Sequence, residues 1–79
     1  MLYQVKFNLT IAKNVLRAFK EIHARKIYHG DARAENILVK PDNSVVVIDF
    51  EMSVIDADQN MLEKEMEEVK SLLAGLKRS

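Results

Sequence analysis

His29-Gly30-Asp31-Ala32-Arg33-Ala34-Glu35-Asn36, followed later by Ile48-Asp49-Phe50-Glu51, are the stretches on which the reading of this chain turns. They sit on either side of two short apolar runs, Ile37-Leu38-Val39 and Val45-Val46-Val47-Ile48. Between those runs lies Pro41-Asp42-Asn43-Ser44, a cluster of turn formers, so the spacing predicts a β-hairpin. Ahead of Asp31, the segment Ile27-Tyr28-His29-Gly30 mixes β-formers with a glycine and reads as a short β segment running into a loop.

Working outward, helical spacing covers about Leu9 to His23 and stops near Arg25. Leu9, Ala12, Leu16 and Phe19 form one stripe, which Ile11, Val15, Ala18 and Ile22 widen. So broad an apolar face predicts a helix covered on two sides. A last helix is expected from about Met61 to Leu76, with Asn60 as cap and Glu63 completing a capping box. Leu62, Met66, Val69, Leu73 and Leu76 recur at steps of four and three, a heptad seam too short for a coiled coil by itself. The acidic run Glu63, Glu65, Glu67, Glu68 reads as the solvated face of that helix. The expected fold class is α+β: helix, loop, β-hairpin, helix. A lone hairpin is weak in water and must lean on the helices or on another domain.

The chain has 79 residues, no internal repeat and no linker, so 1–79 reads as a single unit. At this size the core is marginal, and without cysteine no disulfide staples it. The absence of cysteine fits a cytoplasmic location. Twelve basic and twelve acidic residues balance, which argues against a nucleic-acid or membrane-surface binder. The balance is uneven: residues 1–40 carry +5 and residues 41–79 carry −5, as two faces of one body would. No apolar run is long enough to span a membrane, and Lys6 and Lys13 interrupt any secretory signal.

Taken singly, Asp31 is a turn residue, Asn36 a loop residue and Asp49 a strand-end cap. Their joint spacing points elsewhere. Asp31 to Asn36 is five residues and Asn36 to Asp49 thirteen. Together with His29, Arg33 and Phe50 this resembles the protein-kinase-like superfamily, whose catalytic loop runs His-x-Asp-x-[Lys/Arg]-x-x-Asn, then a hairpin, then Asp-Phe-Gly. The resemblance is strongest over residues 9–52. It implies a partial kinase-like C-lobe, with residues 53–79 as a C-terminal helix that does not align.

What the resemblance implies is ATP-dependent phosphoryl transfer to a hydroxyl, which is mostly positioning and charge neutralisation. Asp31 would orient the acceptor hydroxyl and take its proton. Arg33 would lie near the transferred phosphate. Asn36, through its amide oxygen, and Asp49 would hold Mg2+ and so the ATP phosphates, brought together by the hairpin. His29 would tie the loop to the core, Phe50 would be core packing, and His23 would be a buried polar residue.

Departures from the family pattern narrow the reading. Gly30 replaces the arginine that answers a phosphorylated activation loop, so control of that kind is not expected. His-Gly-Asp is similar to aminoglycoside phosphotransferases, choline kinases and some atypical protein kinases. Glu51 replaces glycine, as in the Ile-Asp-Trp/Phe-Glu form of small-molecule phosphotransferases. The 79 residues contain no Gly-x-Gly-x-x-Gly loop, no Val-Ala-Ile-Lys-type lysine and no Ala-Pro-Glu segment. The expectation is therefore a segment that is inactive alone, its acceptor a protein or small-molecule hydroxyl, its partner a missing N-lobe. The competing expectation is a non-catalytic pseudokinase-like remnant, an interaction module that docks through the heptad seam or through the apolar faces a missing lobe would leave uncovered.

Overall fold

The structure, a computed structural model, describes Leu2 and residues 5–77. Helix α1 spans Leu9–Ala24, β1 Ile37–Val39, β2 Val45–Val47 and α2 Gln59–Lys77, with a 3-10 turn at Ala34–Asn36. The α+β class and the element order are those expected from the sequence.

Asn8 starts α1: its Oδ1 accepts the Ile11 N–H at 2.9 Å, satisfying one orphan donor of the first turn. The helix ends in a Schellman turn. The Lys26 N–H bonds to the His23 carbonyl at 2.9 Å and the Ile27 N–H to the Ile22 carbonyl at 3.3 Å. Lys26 stands at φ 59° where glycine is usual. The buried line of α1 is Ile11, Val15 and Phe19, not the stripe that begins at Leu9, which is 68% exposed. Leu9 stands two residues before the buried Ile11, which at about 100° per residue places it on the opposite side of the helix.

The hairpin is antiparallel with Ile37 opposite Val47 and Val39 opposite Val45. Its tip is closed by the Asn43 N–H on the Lys40 carbonyl at 2.9 Å, with Asn43 left-handed at φ 69°. Asp42 accepts both the N–H and the hydroxyl of Ser44, and those bonds hold its carboxyl below the ordinary 3.8. The hairpin does lean on a helix. Asn14 on α1 donates its amide N–H to the Asn43 carbonyl at 2.7 Å, and Ile37, Val39, Val45 and Val47 join the core made by Ile11, Val15, Phe19, Val69 and Leu73.

Helix α2 begins earlier than the sequence pattern indicates, and its cap is Asp58, not Asn60. The Asp58 carboxylate accepts the Met61 N–H at 2.9 Å, while Glu63 meets the Gln59 amide instead of closing a capping box. The seam residues Val69 and Leu73, with Met66 and Leu76 beside them, pack into the same core as α1. The seam is thus spent inside this chain and is not a surface offered to a helical partner. Among the described residues no helix is long and apolar enough to cross a membrane.

Candidate active site

The loop from His29 to Asn36 is held from beneath by one carboxylate. Glu65 of α2 is 1% exposed. Its Oε1 accepts the His29 N–H at 2.9 Å and its Oε2 the Gly30 N–H at 2.9 Å. His23, near the end of α1, donates Nε2–H to the same Oε1 at 2.8 Å. The acidic run is therefore not wholly a solvated face. Loop N–H groups buried away from any helix or strand need an acceptor, and Glu65 supplies it. The signal for it was present: Glu65 stands three residues after Leu62 and four before Val69, on the apolar line of α2.

His29 is fully buried and works with both ring nitrogens. Nδ1 accepts the Asp31 N–H at 3.1 Å, so the proton sits on Nε2, which donates to the Ile48 carbonyl at 2.8 Å. The ring thereby links the 29–36 loop to the end of β2. Phe19 and Phe50 meet it edge-on at 6.1 Å and 4.7 Å. Phe50 is not the core residue expected of it: it is 40% exposed. Its other side lines an open cavity of about 290 Å³ with Ala18, Ile22, Ile27 and Val47.

Asp31, Arg33 and Asn36 are brought into direct contact. The Asn36 amide Nδ2 donates to the Asp31 carbonyl at 2.8 Å and to its Oδ2 at 3.0 Å. Arg33 grips the same carboxylate with Nε on Oδ1 at 2.7 Å and Nη2 on Oδ2 at 3.2 Å. The Asn36 hydrogen bond chiefly, with those of Arg33, holds the Asp31 carboxyl below the ordinary 3.8 against a partial burial that opposes it. Asp31 is therefore ionised at neutral pH. Because both its partners are acceptors, Asn36 must present its NH2 to them. Its buried side chain then turns Oδ1 away from Asp31, and no described residue donates to that oxygen.

Asp49 follows directly on the hairpin. The Ile48 N–H bonds to the Asn36 carbonyl at 2.8 Å, one step past the β1–β2 register, so residues 36 and 48 share a backbone edge. Asp49 itself is left-handed at φ 63°, with its side chain exposed and bonded to none of the described residues. The donor chemistry here suits a hard divalent cation: one amide oxygen and one carboxylate. Among the described residues no cluster of three or more His, Cys, Asp or Glu could hold a metal. Two protein oxygens is the number Mg2+ commonly takes when phosphates and waters complete its octahedron.

This geometry sets an ionised carboxylate, Asp31, beside the backbone edge shared by residues 36 and 48. Residues 2–79 match the model of the "Lipopolysaccharide kinase (Kdo/WaaP) family". The chain belongs to that family. This Kdo/WaaP-family chain is also 44% identical over 41 residues to "Serine/threonine-protein kinase pak-2" of Caenorhabditis elegans, covering 52% of the chain and 8% of that protein. "Kinase suppressor of Ras A" of the same organism is 42% identical over 40 residues, covering 51% of the chain and 5% of that protein. The chain thus spans less than a tenth of either curated relative. No solved structure matches it. At the level of the superfamily the Kdo/WaaP-family chain is a protein-kinase-like segment.

Proposed function

We propose that this chain is a partial kinase-like C-lobe that provides the catalytic loop and the metal-holding edge for transfer of the ATP γ-phosphoryl group to a hydroxyl. The observation that carries the reading is Asp31, held by Asn36 and Arg33 on a loop that the buried Glu65 anchors through the His29 and Gly30 N–H groups. Asp31, ionised, would accept the hydrogen bond of the incoming hydroxyl, orient its oxygen and receive its proton as the new oxygen–phosphorus bond forms and the bond from the γ-phosphorus to the bridging oxygen of ADP breaks, ADP leaving with that electron pair. Asn36 Oδ1 and the Asp49 carboxylate would hold Mg2+, whose chemistry when bound is to neutralise charge on the phosphate oxygens. Arg33 uses two of its five N–H groups on Asp31, and the rest are available to a phosphoryl oxygen.

The acceptor we favour is a sugar hydroxyl of a lipopolysaccharide-like glycolipid. The family whose model covers nearly the whole chain is named for that substrate, whereas the serine/threonine kinase covers about half of it. Gly30 and Glu51 tilt the same way. The 79 residues hold no glycine-rich loop or strand lysine to grip the nucleotide, so the chain alone is expected to show no turnover.

Binding can still be tested without turnover. Mn2+ with ATP should broaden the NMR signals of the Asn36 side-chain amide and the Asp49 N–H, and Asp49→Ala should abolish the effect. Broadening that survives Asp49→Ala, or that never touches Asn36, would overturn the metal assignment.

A further inference from the structure

The segment after Asp49 runs back across the catalytic loop as a strap, residues 50–57. A turn closes it at one end, with the Ser53 N–H on the Phe50 carbonyl at 3.0 Å. Val54 and Tyr28 then exchange two backbone bonds, at 2.8 Å and 2.9 Å, and the Ala57 N–H reaches the Lys26 carbonyl at 2.9 Å. Between Phe50, whose ring meets His29, and the buried Ala57, side chains contribute little to this seat: Met52 is 66% and Ile55 75% exposed. The strap is held by backbone, and backbone contact demands close approach.

The closest approach is at Gly30. It has φ +88°, and a Cβ placed there would stand 2.3 Å from the Met52 carbonyl oxygen and 2.9 Å from its carbon. Neither is the end of a flexible side chain, so neither can step aside without moving the strap. Gly30 cannot shift away either, because its N–H is bound to the buried Glu65. Asp49 lies between two fixtures: Ile48, bonded to Asn36, and Phe50, where the strap begins and where the ring meets His29. Its left-handed backbone is tolerated by aspartate but not preferred, so it needs both ends fixed.

We infer that Gly30 is a positioning residue: the absence of a side chain there seats the 50–57 strap on the catalytic loop, and the seated strap holds Asp49 beside Asn36. The functional half of this statement rests on the metal-edge reading above; the seating of the strap does not. It gives the glycine of His-Gly-Asp a steric task.

Amide hydrogen exchange by NMR tests the inference in the full 79-residue chain with two variants. Gly30→Ala adds the Cβ and strains φ; Gly30→Asn adds the Cβ but tolerates positive φ. Both should lose about tenfold or more of the protection at the Tyr28, Val54 and Ala57 N–H groups. The Ile48 and Lys40 N–H groups of the hairpin should keep theirs. Both variants should also lose Mn2+–ATP broadening at Asp49. Strap protection retained in Gly30→Asn would overturn the inference, because φ alone would then explain the glycine. Uniform loss across hairpin and helices would overturn it too, by making Gly30 a support of the whole fold. Wild-type chain without Mn2+–ATP broadening, but with selective strap release in both variants, would sink only the metal-edge reading.

Discussion

At the scale of single residues, two carboxylates divide the work. Glu65 is structural: removing it leaves the buried His29 N–H without an acceptor, at about 1–3 kcal/mol, and the part-buried Gly30 N–H without one at a smaller cost. Glu65→Ala should therefore cost roughly 2–4 kcal/mol in urea unfolding, and Glu65→Gln, which keeps one acceptor, clearly less. A Glu65→Ala chain as stable as wild type would show that the loop finds other partners. Asp31 is the residue to which the proposed function gives the chemistry, and its lowered pKa has a named cause in Asn36. Asn36→Ala should raise the Asp31 pKa toward 3.8, followed in a carboxyl-carbon NMR titration. The sign for stability follows. A carboxylate with a depressed folded pKa contributes stability above its unfolded value of 3.8, and that contribution disappears as pH falls through the folded value. Wild-type acid unfolding should thus retain an Asp31 contribution at pH values just below 3.8 that Asn36→Ala has lost. Asp31, Arg33 and Asn36 were legible in the sequence because they are neighbours whose spacing alone brings them together. Glu65 lies 35 residues from Gly30, inside a run of acids that look alike until the helix phase separates them.

At the scale of elements, the hairpin and both helices were legible, because each is signalled by its own periodicity and turn chemistry. Their ends were less so. Asp58 takes the cap that Asn60 was expected to hold, since either residue type can cap and only the packed register of Leu62 and Val69 chooses between them. The strap 50–57 had no periodic signal at all; it is placed by backbone bonds to Lys26 and Tyr28. The Schellman end of α1 carries a cost that can be relieved. Lys26 adopts φ 59° with an exposed side chain, and an L-residue there is roughly 1–2 kcal/mol worse than glycine, partly offset by the greater freedom of glycine when unfolded. Lys26→Gly should stabilise the chain by about 0.5–1 kcal/mol, seen as a higher urea midpoint with unchanged slope. A lower midpoint would mean that the lysine side chain does something the backbone geometry does not reveal.

At the scale of the whole molecule, one small core serves both the fold and the site. The Cα radius of gyration is 11.9 Å, close to the roughly 11.6 Å of a compact chain of this length, so the parts pack as one body. Phe19 is the joint. It is fully buried among Ile11, Val15, Ile37 and Val69, and its ring edge meets both His23 and His29, the residues that link α1 and the loop to Glu65. A chain this short has on the order of 4–12 kcal/mol of stability, and Phe→Ala in a core costs about 3–5 kcal/mol. Phe19→Ala should therefore leave the chain largely unfolded or close to it, with helix content and loop protection lost together. The check is urea unfolding followed in parallel by far-UV circular dichroism and by the NMR signals of the His29 and Gly30 N–H groups. Coincident curves are expected, because the ring that fills the core is also the one against which the loop histidine rests. Loop signals that disappear well before the helices would mean that the 29–36 loop is a separate cooperative unit, docked on the core without depending on it.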